Sequence, residues 1–306
     1  MSNTEIIIEN TGKQEFAELL CDFMFKRLFG SNENKDVLIG FLNTLLEDVK
    51  IIDVEFIPTE HQGITEEDRK AIFDISARCD DGRTLIFEVQ NASQQHFRKR
   101  AVYYTSYPIN EQGRLAKEEW IREHECKDDG KEFKWDFNLK PVTVIGILNF
   151  KFEHDASWPS YRYHSSYRLR EDTSNEVMTD VLRFVFLELG RFNKRIWELE
   201  TTFDKWMHLF KHMHELVEIP KIFQTPEFNR LFILSKIGKF TPEEMKEYQN
   251  SLDKMSDYYN TIESAEDRGR KQERIRIAEK MLETGMPIDQ IAQITDLTIA
   301  EIEALR

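Results

Sequence analysis

Residues 69–90 read RKAIFDISARCDDGRTLIFEVQ, and the fold turns on how this stretch alternates. Phe73, Ile75, Ala77 and Cys79 form one apolar row, with Ile72, Asp74, Ser76 and Arg78 on the other side. After Asp80-Asp81-Gly82, the residues Leu85, Phe87 and Val89 are apolar, while Ile86, Glu88 and Gln90 take the opposite face. A period of two on both sides of a Gly-containing turn predicts an antiparallel hairpin with strands over 69–79 and 83–90. Like faces must meet across the pair, so Phe73 is expected opposite Val89, Ile75 opposite Phe87 and Ala77 opposite Leu85. That register leaves a three-residue loop ending on Gly82, the position at which such loops take a left-handed residue. It also sets Asp74 against Glu88, with Cβ atoms roughly 5 Å apart, and Ile72 against Gln90. Two like charges so placed destabilise a hairpin unless a cation lies between them. A divalent ion suits the gap, because Mg2+ takes a few carboxylate oxygens and keeps waters, one of which can become a nucleophile. The competing reading is a solvated polar face in which Arg78 or Lys70 neutralises the carboxylates.

Helices precede this hairpin. Phe16, Leu19, Leu20, Phe23 and Leu28 recur at helical spacing over 14–29, with Gly30 as a stop. Val37, Leu38, Phe41, Leu42, Leu45 and Leu46 predict a second helix over 34–46. A strand over 51–57 and a polar loop to residue 68 lead into the hairpin. Beyond it the pattern predicts a helix over 93–106, a charged surface insertion over 116–140, a strand over 142–150, and further strands over 161–169 and 181–187.

The order of two helices, a strand, an Asp-bearing strand, a strand carrying Glu-x-Gln, a helix and another strand resembles the PD-(D/E)XK nuclease fold. More specifically, the chain resembles the Rpn family of recombination-promoting nucleases, also described as PD-(D/E)XK transposases. The likeness rests on Asp22-Phe-Met-Phe-Lys-Arg-Leu-Phe29, Asn32-Glu-Asn-Lys-Asp36, Phe73-Asp74-Ile75, Phe87-Glu-Val-Gln90 and the series Phe97, Arg100, Tyr104. It covers about residues 14–190, with a further match at the C-terminus. It implies a restriction-endonuclease-like α/β fold, a mixed sheet flanked by helices, followed by an all-helical region. It further implies a metal-dependent DNA endonuclease acting in recombination or transposition, in which Asp74, Glu88 and the Val89 backbone carbonyl hold Mg2+ or Mn2+. Gln90 stands where the broader fold most often has Lys; it hydrogen-bonds but carries no charge. A binding module that has lost useful catalysis, and cleavage of RNA instead of DNA, are the alternatives.

Asp22 and Lys26 are spaced i, i+4. They read either as an ordinary helical ion pair, worth a few tenths of a kcal/mol, or, by the resemblance, as residues facing the site. Arg100 shares a helical face with Phe97 and Tyr104, and reaches either the site or a DNA phosphate, or else lies over its apolar neighbours. His208, His212 and His214 lack the Glu of a zinc-binding helix and read as part of a His-rich surface helix.

Composition narrows the class. The 306-residue chain is 40% hydrophobic and 12% aromatic, enough for one large domain with appendages. Its net charge of -14 argues against a protein that coats nucleic acid non-specifically and does not exclude a nuclease with a local basic strip. No run approaches the roughly 18 apolar residues of a membrane span, and no signal peptide opens the chain, so a cytoplasmic protein is expected. Cys21, Cys79 and Cys126 lack metal-ligand spacing and read as reduced thiols.

The expected organisation is a nuclease-like domain over 1–190, a helical extension over 191–264, and a helical linker with a small helix-turn-helix-like tail over 265–306. Thr241-Pro242-Glu243-Glu244 is a helix start running toward Gly285. The basic run from Arg268 to Lys280 is interspersed with acids and reads as a solvated helix or as a track for a DNA backbone. In the tail, Thr298 and Glu301 form a capping-box pattern. Its acidic second helix favours self-association into a homo-oligomer, or regulation, over reading DNA.

Overall fold

A computed structural model describes residues 14–61, 71–124 and 132–305. The part of the expected loop over 62–68, Lys70 and Cys126 lie outside the described residues, while Glu60–His61 of that loop is a short strand. The strands are β1 (Val54–Phe56), β2 (Glu60–His61), β3 (Ala71–Ile72), β4 (Ile75–Cys79), β5 (Thr84–Gln90), β6 (Val142–Leu148), β7 (His164–Arg168) and β8 (Leu182–Glu188). The helices are α1 (Asp22–Phe29), α2 (Lys35–Leu45), α3 (Phe97–His124), α4 (Thr202–His212), α5 (Pro226–Ser235), α6 (Pro242–Glu283), α7 (Ile288–Thr295) and α8 (Ile299–Glu303). Contacts divide the chain into two compact units at Leu252/Asp253. No described helix is long and apolar enough to cross a membrane.

The first unit is built on a mixed six-stranded sheet of order β1-β4-β5-β6-β8-β7. The hairpin has the expected pairing of Ile75 with Phe87 and Ala77 with Leu85, and Gly82 turns it at φ +86°. β5, β6 and β8 are parallel, while β1, β4 and β7 run antiparallel to their neighbours. Every residue of β6 is buried, as a central parallel strand covered on both faces requires.

One stretch of the hairpin departs from the expectation. The strand over 69–79 is broken at Phe73 and Asp74 into β3 and β4. Ile57 donates to the Ser76 carbonyl, and Glu60 is opposite Ile72. Between these points one strand advances three residues and its partner four, so an extra residue is inserted beside Asp74. Such a bulge bends the strand and re-aims its side chains. Phe73 therefore leaves the Ile75 row and packs under α3, edge-on to Tyr104 at 4.9 Å. The expected Phe73–Val89 and Ile72–Gln90 pairs do not form in the ladder.

The helices bury both faces of the sheet. Phe97, Ala101 and Tyr104 of α3 pack on Ile86, Val142, Val144, Leu148 and Phe186. Gly146 provides the room, since a Cβ there would lie 2.9 Å from Phe186 and 3.3 Å from Phe97. The expected helix over 93–106 begins instead at Phe97 and continues through Pro108 to His124, taking in the first part of the predicted insertion. Arg114 supports that extension by pairing with Glu111 and Glu118 one turn away on either side.

The predicted helix over 14–29 is also revised, because only Asp22–Phe29 is helical. Phe16 bridges to Lys236, and Ala17 donates to the Ser235 carbonyl, so the segment pairs as an extended strand with the chain leaving α5. The α4 helix is buried, not a surface helix: Trp206 and Phe210 stack among Phe29 and Phe41, and His208 is 8% exposed. His208 and His212 lie on this helix, while His214, past its end, pairs with Glu18 at 2.7 Å. Cys21 and Cys79 are free and buried, and burial pushes both thiols up to about 12.

The second unit has its own small core. Ala278, Ile291, Leu297 and Ile302 are enclosed by Ile275, Leu282, Met286 and Leu305. Asp296 ends α7 in the left-handed region at φ 55°, and Thr298 with Glu301 forms the expected capping box. The predicted helix-turn-helix-like tail is present. Lys271 pairs with Glu301 and Arg274 with Asp296, and several of the other basic residues pair within the helix.

Candidate active site

The bulge and the end of β5 create the arrangement of interest. Backbone groups alternate along a strand, and the even residues of β5 turn theirs toward β6, where the Asn149 N–H meets the Gln90 carbonyl. Val89 therefore turns its N–H and carbonyl toward Asp74. With the ladder interrupted there, the Val89 N–H donates instead to the Asp74 carboxylate at 2.6 Å. The bulge thus leaves a carboxylate where a backbone acceptor would have been.

Glu88 lies on the face covered by α3, level with Gly146 and Phe186. It is 3% exposed, so the face is not solvated. Gln90 Nε2 donates to one carboxylate oxygen at 3.2 Å, and Arg100 of α3 approaches the same oxygen at 3.7 Å. The other oxygen, Oε1, is buried without a hydrogen-bond partner. Leaving a buried carboxylate oxygen unpaired costs free energy on the order of 1–3 kcal/mol or more. Burial pushes the Glu88 carboxyl up, and the Asp74 charge pushes it further. Burial likewise raises Asp74, with Asp22 adding to it, while the Val89 N–H, Lys26 and Arg100 oppose the shift. The pair is short of positive charge.

The flanking candidates fall into place around this pair. Asp22 and Lys26 form the i, i+4 ion pair at 2.7 Å, with both side chains more than half exposed. Their charges act on Asp74 in opposite directions, Asp22 raising and Lys26 lowering it. Asn91 ties the end of β5 to the start of α1 by donating to the Leu20 carbonyl at 3.2 Å. Arg100 both reaches Glu88 and lies over the Phe97 and Tyr104 rings, at 5.1 and 5.7 Å, and it donates to Gln94. Arg78 pairs with Glu55 and neutralises neither carboxylate. Among the described residues no group of three or more His, Cys, Asp or Glu side chains is placed to hold a metal. Two clefts of about 610 and 470 Å³ near β7 share Thr44, Glu47, His164 and Phe203 and include none of the predicted site residues.

Two carboxylates buried among the described residues were not singled out in the sequence, Asp204 of α4 and Glu188. Glu188, at the end of β8, is fully buried and holds His154 and Arg191 at 2.8 and 2.9 Å. Its only sequence signal is an acid inside the apolar run 184–189.

Comparison with known proteins agrees with the fold. A family model described as PD-(D/E)XK nuclease family transposase matches residues 19–265. A second, described as the C-terminal HTH domain of the Rpn/YhgA-like nuclease family, matches residues 271–306. No curated protein and no solved structure matches the chain.

Proposed function

The chain belongs to the PD-(D/E)XK nuclease family transposases, and on that premise we propose that it hydrolyses DNA phosphodiesters at the Asp74–Glu88 pair with the help of Mg2+ or Mn2+. The observation that carries this reading is the unpartnered, buried Oε1 of Glu88 beside a second carboxylate. Such a pair suits a small hard cation, and two carboxylates with one carbonyl suit Mg2+, which retains several waters. Asp74, Glu88 and the Val89 carbonyl are the groups that would hold it. Bound there, the ion supplies a water of lowered pKa and positive charge for the phosphate.

The protein's own residues carry the remaining tasks. Arg100 supplies the positive charge that Gln90 lacks, and its contact with the Phe97 and Tyr104 rings fixes the guanidinium. Gln90 orients Glu88 through its amide. The helix-turn-helix match turns the reading of the tail from self-association toward DNA. A role in recombination or transposition is the setting consistent with the family description.

The test is nicking of supercoiled plasmid with Mg2+ or Mn2+, with EDTA and the Asp74→Ala and Glu88→Ala variants as controls. Cleavage by the wild type alone supports the proposal. Equal inactivity of all samples, with the wild type still binding DNA, favours a binding module, a reading that the uncharged Gln90 also suits.

A further inference from the structure

Gln90, Leu148 and Glu188 stand at one level across β5, β6 and β8. Two strand spacings of about 4.8 Å therefore put Glu188 roughly 10 Å along the same sheet edge from Gln90. The Glu188 carboxylate gathers the chain around it. It accepts from the Phe152 N–H at 2.7 Å, from Arg191 Nε at 2.9 Å and from His154 Nε2 at 2.8 Å, while Arg191 closes the loop on the Phe152 carbonyl at 2.7 Å. Arg98, two residues before Arg100 on α3, lies over the Phe152 ring at 4.2 Å, with a guanidinium nitrogen 3.4 Å from His154 Nδ1. Through its two ring nitrogens His154 thus links Arg98 to Glu188. Trp158 stacks on the His154 ring at 3.8 Å.

The result is a rigid mount for cations. Arg98 is exposed and has no carboxylate partner among the described residues. Lys151 is exposed and likewise unpaired there, its stem lying against Gly190, where a Cβ would meet the Phe150 carbonyl carbon at 2.8 Å. Lys211 donates to the Phe192 carbonyl. Burial lowers its ammonium, and Lys151 lowers it further, which places the two lysines in one field. Glu153 and Asp155 lie on the same segment, and the Asp155 carboxylate is turned onto Ser157. In a chain of net charge -14, preorganised cations without carboxylate partners among the described residues are open to an external anion.

We propose that Arg98 and Lys151, mounted on the Glu188–His154–Arg191 network and backed by Lys211, bind phosphates of the DNA strand that enters the Asp74–Glu88 site. The inference rests on the nuclease reading and deepens it: roughly 10 Å of duplex axis is about three nucleotides at 3.4 Å each. The scissile phosphate would lie at the carboxylates and the flanking backbone on the cationic mount.

The test is fluorescence anisotropy of a labelled duplex, without cleavage in EDTA, across a salt series. Arg98→Ala and Lys151→Ala, both at exposed positions, are compared with Arg98→Lys and with Arg114→Ala, a charge deletion far along α3. The expected result is a fivefold to tenfold loss of affinity for each alanine variant, a salt slope smaller by about 1 per variant, and near wild-type behaviour for Arg98→Lys and Arg114→Ala. Unchanged affinity and slope, or an equal loss in Arg114→Ala, overturns the proposal. If the wild type binds in this Arg98- and Lys151-dependent way yet cleaves nothing, the nuclease reading fails and the binding site stands. If it cleaves while Arg98 and Lys151 are dispensable for binding, the reverse holds.

Discussion

Burial of Glu88 at 3% exposure beside Asp74 sets a pH signature that can be read without any substrate. An acid whose folded pKa is raised holds its proton more tightly in the native state. The metal-free protein therefore loses stability as pH rises from the ordinary carboxylate value of about 4.3 toward the raised one. Glu88→Gln mimics the protonated acid at every pH. In EDTA it should match the wild type near pH 4 and exceed it by about 1–3 kcal/mol at pH 8, one to two units' worth at about 1.4 kcal/mol each. Thermal melts at the two pH values check this, and an advantage that is absent or reversed at pH 8 contradicts the assigned burial. Addition of Mg2+ should stabilise the wild type and leave Glu88→Gln unmoved. At the same scale, Arg100→Ala should lower the single-turnover cleavage rate by about 10²-fold, the typical loss when one transition-state charge stabiliser is removed. Gln90→Lys in that background should restore part of the rate. No restoration would show that charge near Glu88 is not the limiting quantity.

Elements place these residues through two devices. The extra residue at the Phe73–Asp74 bulge frees the Asp74 carboxylate to meet the Val89 N–H, and α3 lies close enough to the sheet to bring Arg98 and Arg100 onto its edge. The second device depends on Gly146. A Val there would drive its Cβ branches into Phe186 and Phe97, already 2.9 and 3.3 Å from a Cβ. Overpacking of this kind costs about 1–3 kcal/mol. Gly146→Val should lower the melting temperature by several degrees and cleavage by more than stability alone explains, because Arg100 moves with α3. Equal activity in the still-folded fraction would uncouple α3 from the site. Most element types were legible in the hydrophobic periods; the ends were less so. Residues 14–21 have helical spacing yet pair with the chain leaving α5, since Phe16 is buried against Phe232 whichever local form the backbone takes.

At the scale of the molecule, the helices after residue 191 divide between the two units. Trp206 and Phe210 complete an aromatic core with Phe29 and Phe41, and Tyr248 on α6 accepts from the Glu18 N–H at 2.9 Å. Trp206→Ala should therefore cost about 3–5 kcal/mol and unfold the sheet with the helices in a single transition; a separate, unshifted sheet transition would contradict this. A chain ending at Leu252 should keep the melting temperature of the first unit to within a few degrees and retain plasmid nicking while binding DNA more weakly. Loss of cooperative unfolding would show that the division at Leu252/Asp253 does not mark an independent unit.

Alternation alone determined the hairpin, its register from Ile75 to Cys79, the Gly82 turn and the face on which Glu88 lies, because side chains in a regular strand can only face two ways. The tail was equally legible, since the Thr298–Glu301 box and the left-handed Asp296 depend on neighbours within a few residues. Tertiary structure decided the rest. The bulge at Asp74 exists because β1 and β2 pair with the other side of that strand. Glu88 and Glu188 are buried because α3 and the chain after β6 close over them, and Arg98 and Arg100 acquire their partners from that closure. Local spacing cannot encode which face a distant segment will cover, and at this sheet edge the distant segments set the electrostatics.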